Sequence, residues 1–376
     1  MLTFCEIDLK AIKENLKAIK NVLNSQKILI VVKANAYGHG MIEVSKAVEK
    51  IVDFFGVVNL NEALKLREIG IKKPILVMGY TEPQEILKAV EKNISIVIIS
   101  KDHLKSIRPF LKKLPSQKRL KVHLKIDTGI SRLGVMPFEV KEVIKEIKKV
   151  PAIQLEGIMS HLASVEEKDI DYTKYQIKNF KSVINEIKKE LKERPIFHLA
   201  ASAAAIWLKE TWFDMVRIGI AAYGLWPSEE IKHLWEKGEI KIKRLKPALS
   251  FKTKVVQIKR LKPPGFIGYG CSYKIKKPMK IAVIPVGYAE GFDRGFSNKG
   301  EVLVKGKRSK IVGRVCMNMS MIDISDINAK VGDEVVLIGS QGNDIITADE
   351  LASKIDTINY EIVTRIPPDL MRIYKN

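Results

Sequence analysis

Eight short runs rich in β-branched residues alternate with longer amphipathic stretches over about the first 235 residues of this 376-residue chain. The runs lie at 27–33, 54–58, 74–78, 95–99, 121–126, 154–159, 194–198 and 215–218, and helical spacing fills stretches such as 60–68, 83–92 and 171–192. Strands separated by amphipathic helices form parallel sheets, because each crossover needs a dozen or more residues. A doubly wound open sheet would share this alternation, but the count of eight favours a closed (β/α)₈ barrel of the TIM type, an α/β fold.

From about residue 240 the texture changes. The segments 249–258, 279–284, 300–304 and 333–338 are strand-like, and turns such as Pro263-Pro-Gly265 join them with little helical spacing before 347–354. The expected organisation is therefore a barrel over 1–238 and a mainly antiparallel β domain over 239–376.

With 46% hydrophobic and 29% charged residues, the chain can bury substantial cores. Its net charge of +22 raises the question of a nucleic-acid partner. Of the 65 basic residues, however, only 13 are Arg, and the lysines fall on the polar faces of helices such as 141–149, interleaved with acids. No basic tail, RNA-binding aromatic motif or finger spacing accompanies them, so no nucleic-acid partner is expected. No apolar run is long enough to span a bilayer, so no membrane partner is expected either. The opening residues through Asp8 carry acids and no signal-peptide pattern, which makes the cytoplasm the expected location. Cys5, Cys271 and Cys316 lack metal-ligand spacing, so neither a metal nor a disulfide framework is expected.

In a (β/α)₈ barrel the working groups lie at the C-terminal ends of the strands. The first strand ends on Lys33, where desolvation would lower the amine pKa towards a nucleophilic form, and glycines follow it. The fifth runs into Asp127 and Arg132; the arginine suits a carboxylate ligand, although the two could also pair within the loop. The sixth ends on Ser160-His161, whose ring could stack on or hydrogen-bond a flat ligand. The seventh leads through Ser202 into an alanine-rich helix, a reasonable phosphate seat, and the eighth gives Arg217 and Gly219, the glycine again permitting backbone approach. A strand-end lysine, a phosphate seat and a carboxylate-gripping arginine suggest a lysine Schiff base with pyridoxal 5′-phosphate.

Val31-Val-Lys33-Ala-Asn-Ala-Tyr37-Gly-His-Gly40 resembles the cofactor-attachment motif of the alanine racemases. Six further segments follow in that family's order and spacing: Lys125-Ile-Asp-Thr-Gly-Ile-Ser-Arg-Leu-Gly134, Val216-Arg-Ile-Gly-Ile-Ala-Ala-Tyr-Gly224, Gly268-Tyr-Gly-Cys-Ser-Tyr273, Pro285-Val-Gly-Tyr-Ala-Glu-Gly291, Gly313-Arg-Val-Cys-Met-Asn318 and Asn359-Tyr-Glu361. The resemblance implies an isomerase that interconverts L- and D-alanine and supplies D-alanine for peptidoglycan. Lys33 would hold the cofactor as an aldimine and serve as the base on the D face, with Tyr269 as the base on the L face. A phenol at its ordinary pKa is a poor base, so neighbours must activate Tyr269. His161 and Arg217 would do so, Arg217 also facing the pyridine nitrogen. Tyr37, Ser202, Gly219, Ile220 and Tyr360 would hold the phosphate, and Arg132 and the Met317 backbone the substrate carboxylate. Lys125 stands where some members carry a carbamylated lysine. Tyr269 and Met317 would reach the other subunit of a head-to-tail homodimer.

Two positions depart from the family pattern: Ala201 stands where Asn is usual, and Asn318 where Asp is usual. A related barrel-plus-β decarboxylase would place an acid where Arg217 stands, and a lone-barrel pyridoxal-phosphate carrier would lack Tyr269. A racemase for serine or a broader set of amino acids has the same motifs.

Overall fold

A computed structural model describes residues 2–191 and 193–376. Contacts divide the chain into two compact units, one of 12–34 and 41–246, the other of the residues up to Ala11 with 35–40 and 247–376. The change of unit thus falls at 246 rather than 238. Two N-terminal pieces expected in the barrel belong to the β unit.

The first of these pieces contains strand β1 (Phe4–Asp8). The barrel unit then supplies β2 (Lys27–Val31), β3 (Phe54–Val57), β4 (Ile75–Val77), β5 (Ser95–Ile98), β6 (Leu120–Lys125), β7 (Ile153–Met159), β8 (Ile196–His198) and β9 (Met215–Ile218). These form one parallel eight-stranded sheet in the order β8-β7-β6-β5-β4-β3-β2-β9. Individual hydrogen bonds bridge the remaining seam between β8 and β9. Asp214 N donates to Phe197 O (3.0 Å), Arg217 N donates to Ala200 O (3.0 Å), and the Asp214 carboxylate accepts from Phe197 N. The runs are largely apolar because both faces are covered; β3, β4 and β5 are buried at every residue, while β6 and β7 carry polar interruptions such as His123 and Glu156.

The surrounding helices owe their direction to one apolar stripe each. In Val140–Lys148 the buried residues Val143, Ile144 and Ile147 follow Val140 at helical spacing, and the charged residues lie on the other side. The stretch 83–92 divides into a 3₁₀ turn, Pro83–Glu85, and a helix, Ile86–Glu91. The stretch expected over 171–192 is helical over Asp171–Ile187 with a 3₁₀ turn over Lys188–Glu190, and Lys192 lies outside the described residues. No described helix is long and apolar enough to cross a membrane.

The β unit adds β10 (Leu249–Lys254), β11 (Gln257–Leu261), β12 (Phe266–Ile267), β13 (Tyr273–Lys274), β14 (Met279–Ile284), β15 (Glu301–Val304), β16 (Lys307–Lys310), β17 (Ser320–Asp323), β18 (Glu334–Gln341), β19 (Asp344–Ile346) and β20 (Arg372–Lys375). One sheet runs β16-β15-β18-β10-β1-β20 with β19 attached to β18; a second runs β11-β14-β17; β12 and β13 form a ribbon. All pairs are antiparallel except β1 with β20. The run 249–258, read as one strand, is two. At Val255 and Val256 the backbone bonds first to Asp333 O and then to Val283 O, so β10 and β11 enter different sheets.

Inside the barrel, register is broken once. Val122 pairs with Leu155 but His123 pairs with Gly157, so Glu156 is an extra residue on β7, a bulge. Gly157 makes room for the His123 ring: a Cβ there would stand 2.2 Å from Nδ1. Gly157→Ala therefore overpacks a closed interior and should lower unfolding free energy by about 1–3 kcal/mol in urea titration. A change below about 0.5 kcal/mol would show that the ring is free to move.

Candidate active site

The strand ends bring seven of the expected residues together in the barrel unit: Lys33, Arg132, His161, Ser202, Arg217, Gly219 and Ile220. Lys33 follows β2 and is partly buried; burial, then the charge of Arg132, lowers its amine pKa against an opposing pull from Glu62. Glu62 is fixed at the head of helix Leu60–Glu68, where its carboxylate accepts from Val58 N and Ala34 N, both at 2.9 Å. After Lys33 the backbone makes a left-handed turn, with φ between 51° and 54° at Ala34, Asn35, Ala36 and Tyr37 and 81° at Gly38. For residues with a side chain this costs roughly 1–2 kcal/mol each. Gly38 is required: a Cβ there would meet Val363 O at 2.1 Å.

Lys125 closes β6, only 5% exposed. Burial, then Arg132 and Arg217, lowers its pKa to about 8, with Asp127 opposing. Asp127 is not the ion-pair partner of Arg132. Its carboxylate accepts from the backbone N–H groups of Gly129, Ser131 and Arg132 at 2.9–3.1 Å, which shapes the loop and leaves the exposed guanidinium without a carboxylate among the described residues. Burial opposes ionisation of Asp127, but these backbone bonds hold its pKa below the usual carboxylate value.

Arg217, on β9, is 3% exposed. Its Nη1 donates to His198 O (3.1 Å) and His198 Nδ1 (3.2 Å), and its Nη2 donates to Ser160 O (2.8 Å), Leu199 O (2.9 Å) and His161 Nδ1 (3.1 Å). Nε makes no hydrogen bond among the described residues. Burial lowers the pKa of Arg217 to about 10, still three decades above neutrality, so it stays a cation. Burial and the Arg217 charge push the His161 imidazole well below its ordinary pKa, leaving a neutral ring with Nδ1 accepting and Nε2 protonated.

Ser202 and Gly219 also meet: Gly219 N donates to Ser202 Oγ (2.9 Å), which leaves the hydroxyl proton available to an acceptor. Ser202 opens the six-residue helix Ser202–Trp207, and Ile220 follows Gly219 in a buried 3₁₀ turn. Ala201 is the N-cap residue and offers no side-chain bond. Lys33, Lys125, Arg132 and Arg217 thus form a group of cations beside a hydroxyl and backbone N–H groups, an arrangement made for an anion.

The other expected residues belong to the β unit. Tyr37 and Tyr360 face each other at 6.1 Å between ring centroids. Tyr269 lies in the turn between β12 and β13 and is 71% exposed, while its ribbon neighbours Ile267 and Tyr273 belong to or pack on a small core with Ile275, Met279, Ile281 and Val312. Gly270 beside it has φ 67°, and a Cβ there would stand 2.8 Å from the Arg314 guanidinium carbon. Met317 is 57% exposed. Asn318 Nδ2 donates to Glu290 Oε1 (2.7 Å), and the other oxygen of that carboxylate accepts from Gly287 N (2.8 Å). Sequence reasoning missed Glu62, Glu290, His123, Glu156 and His198 as site residues. For the last three the available signal was a polar residue at inward positions of otherwise apolar barrel strands. Among the described residues, no group of three or more His, Cys, Asp or Glu could hold a metal.

Because Lys125 loses proton affinity on folding, its charge costs stability at neutral pH, and the cost fades as pH rises from about 8 towards the unfolded value of 10.5. Lys125→Met should raise unfolding free energy at pH 7, without added anions, by about 1–2 kcal/mol, and by much less at pH 10. An equal gain at both pH values would contradict this origin.

Residues 7–227 match the model for the alanine racemase N-terminal domain, and 248–374 match that for the C-terminal domain. An alanine racemase of Methanococcus maripaludis is 43% identical over 375 residues, covering 99% of this chain and 98% of that one. Alanine racemase 2 of Caldanaerobacter subterraneus is 41% identical, covering 99% and 94%. The crystal structure of alanine racemase from Bacillus anthracis with bound L-Ala-P superposes with a TM-score of 0.92 at 36% identity, covering 100% of this chain and 95% of that one. With both domain models matched in order and relatives alike over their full lengths, the chain belongs to the alanine racemase family.

Proposed function

We propose that this protein interconverts L- and D-alanine with pyridoxal 5′-phosphate, and that Lys33 and Tyr269 are its two bases. The observation that carries this reading is the collection of Lys33, Lys125, Arg132 and Arg217 at the strand ends, with no carboxylate on Arg132 and Nε of the buried Arg217 unbonded among the described residues. The barrel unit's residues fit the cofactor: the Ser202 hydroxyl and the Ile220 N–H would take its phosphate, Gly219 would allow close approach, and Arg217 Nε would face its ring nitrogen; Tyr37 and Tyr360 are assigned to the phosphate by the family resemblance alone. His161 is the remaining cofactor-side residue, held neutral beside Arg217. Bound there, the cofactor supplies an electron sink that acidifies the substrate Cα–H.

Inversion removes a proton on one face and returns one on the other, so two groups are needed. The lowered pKa of Lys33 gives an amine that can form the cofactor linkage and carry the proton on the D face. Tyr269 serves the L face. Arg132 takes the substrate carboxylate as a bidentate donor, with the Met317 backbone as a second holder. A fixed cation at the ring nitrogen disfavours protonation there, which weakens the sink and suppresses side reactions. Partial neutrality of Lys125 near pH 8 also suits carbamylation.

Tyr269 and Met317 are exposed on their own chain, which supports a homodimer in which each completes the partner's site. The product D-alanine would supply peptidoglycan, and the expected location remains the cytoplasm.

Chiral analysis of L-alanine incubated with the cofactor-loaded protein tests the reading, with L-serine alongside. D-alanine should form, and Lys33→Ala should abolish both its formation and the cofactor's visible absorption band. Tyr269→Phe should lower kcat about 10²–10⁴-fold. Faster conversion of serine would change the substrate alone; no D-product from either would overturn the function. Asn318→Asp would set a second carboxylate against Glu290 and raise the apparent pKa of the L-face base, moving the pH–rate profile upwards. Superimposable profiles would sink that role for residue 318.

A further inference from the structure

A line of buried polar groups runs through the barrel interior away from the site. His123 Nδ1 lies 2.8 Å from His198 Nε2, and His123 Nε2 lies 3.1 Å from Glu156 Oε2. Both imidazoles are fully buried. Ser95 Oγ donates to the same Glu156 oxygen, and Lys121 Nζ stands 3.9 Å from the other.

The two ends of this line fix its direction. Arg217 can only donate, so His198 Nδ1 must be a lone pair and Nε2 must carry the proton. That proton is given to His123 Nδ1, which leaves Nε2–H of His123 to bond the carboxylate. A permanent donor and an ionised acceptor therefore agree across two neutral rings, with every bond satisfied. Burial opposes ionisation of Glu156, and the bonds from His123 and Ser95 and the charge of Lys121 favour it.

The backbone is built for this arrangement. The bulge on β7 inserts Glu156 into the register, and Gly157 leaves the space that the His123 ring occupies. Arg217 has no carboxylate in direct contact among the described residues.

We propose that Glu156 is the counter-ion of Arg217, coupled to it through His123 and His198, and that the three are positioning residues that fix the plane and effective charge of the guanidinium. Its consequence for catalysis rests on the function proposed above. A carboxylate bonded directly to Arg217 would cancel most of its charge where the ring nitrogen binds; two intervening imidazoles balance the charge and leave Nε facing the ligand.

The wiring is tested by NMR of the full-length holoprotein labelled with [¹⁵N]histidine. His123, His198 and His161 should all be neutral with the proton on Nε2; an Nδ1–H tautomer or an imidazolium at any of them overturns the line. In Glu156→Gln, which keeps an acceptor and removes the charge, the Nε2–H resonance of His198 should move together with that of His123. The kcat for alanine should fall about tenfold with KM within twofold. Ser95→Ala, which keeps the charge, should leave the His198 resonance and kcat in place. Movement of His123 alone, or an unchanged kcat, overturns the proposal. If Glu156→Gln does not fold, His123→Gln takes its place in the kinetic measurement with the same expected split. Wrong tautomers in a protein that racemises alanine would sink the relay alone. Correct tautomers in a protein that turns over no amino acid would sink the functional reading alone.

Discussion

Positive charge gathered in a poorly solvated place is the constraint around which the barrel unit is organised. Lys33, Lys125, Arg132 and Arg217 each disfavour protonation of a neighbour. An isolated buried cation would neutralise or escape to solvent. Arg217 does neither, because a pKa lowered to about 10 still leaves it ionised at neutral pH, and five hydrogen bonds hold it. The lysines respond differently: Lys125, at about 8, is divided between its two forms near the pH at which a proton-transfer group is useful. One environment therefore gives a fixed charge where the side chain is a guanidinium and an adjustable one where it is an amine.

The acids nearby only partly offset this charge, because their oxygens are engaged by the backbone. Asp127 spends its lone pairs on three backbone N–H groups, and Glu62 ties Val58 and Ala34. These bonds bear on the costliest backbone in the site, the left-handed turn after Lys33. The Ala34 amide is held by Glu62, while further on Gly40 N donates to Asn35 O and Arg372 donates to Gly38 O. Strain of this kind persists only where the surroundings over-determine it. Here the turn determines how the chain leaves the strand that carries Lys33.

The alternation of strands and helices made the barrel legible, because its periodicity is local and most strand residues are buried. The strand ends could be located for the same reason, and in a barrel of this kind a candidate site is sought at their C-terminal ends. Long-range pairing hid other features. Strand β1 belongs to the β unit only because Phe4–Asp8 finds β10 and β20 far along the chain, and nothing in five residues announces those partners. The break at Val255 and Val256 was invisible because a strand that changes sheets keeps its β-branched composition. Asp127 and Arg132, five residues apart with opposite charges, suggested a pair; the loop's need for backbone acceptors decides against it. His123, Glu156 and His198 were visible as polar interruptions of apolar strands, but their connection depends on a bulge and a glycine that composition does not reveal.

The β unit treats its candidate site residues in the opposite way. Tyr269 and Met317 are presented outwards on short, tightly turned loops, and rigidity comes from the backbone beneath them. Cys316 O and Met317 O accept from Tyr288 N and Ala289 N, and a side chain at Gly287 would collide with both carbonyls. Asn318 extends the same clasp through Glu290, where a neutral amide can donate to a carboxylate that an aspartate would repel. In the barrel unit a group is held by being surrounded. In the β unit an exposed group is held by the loop it stands on.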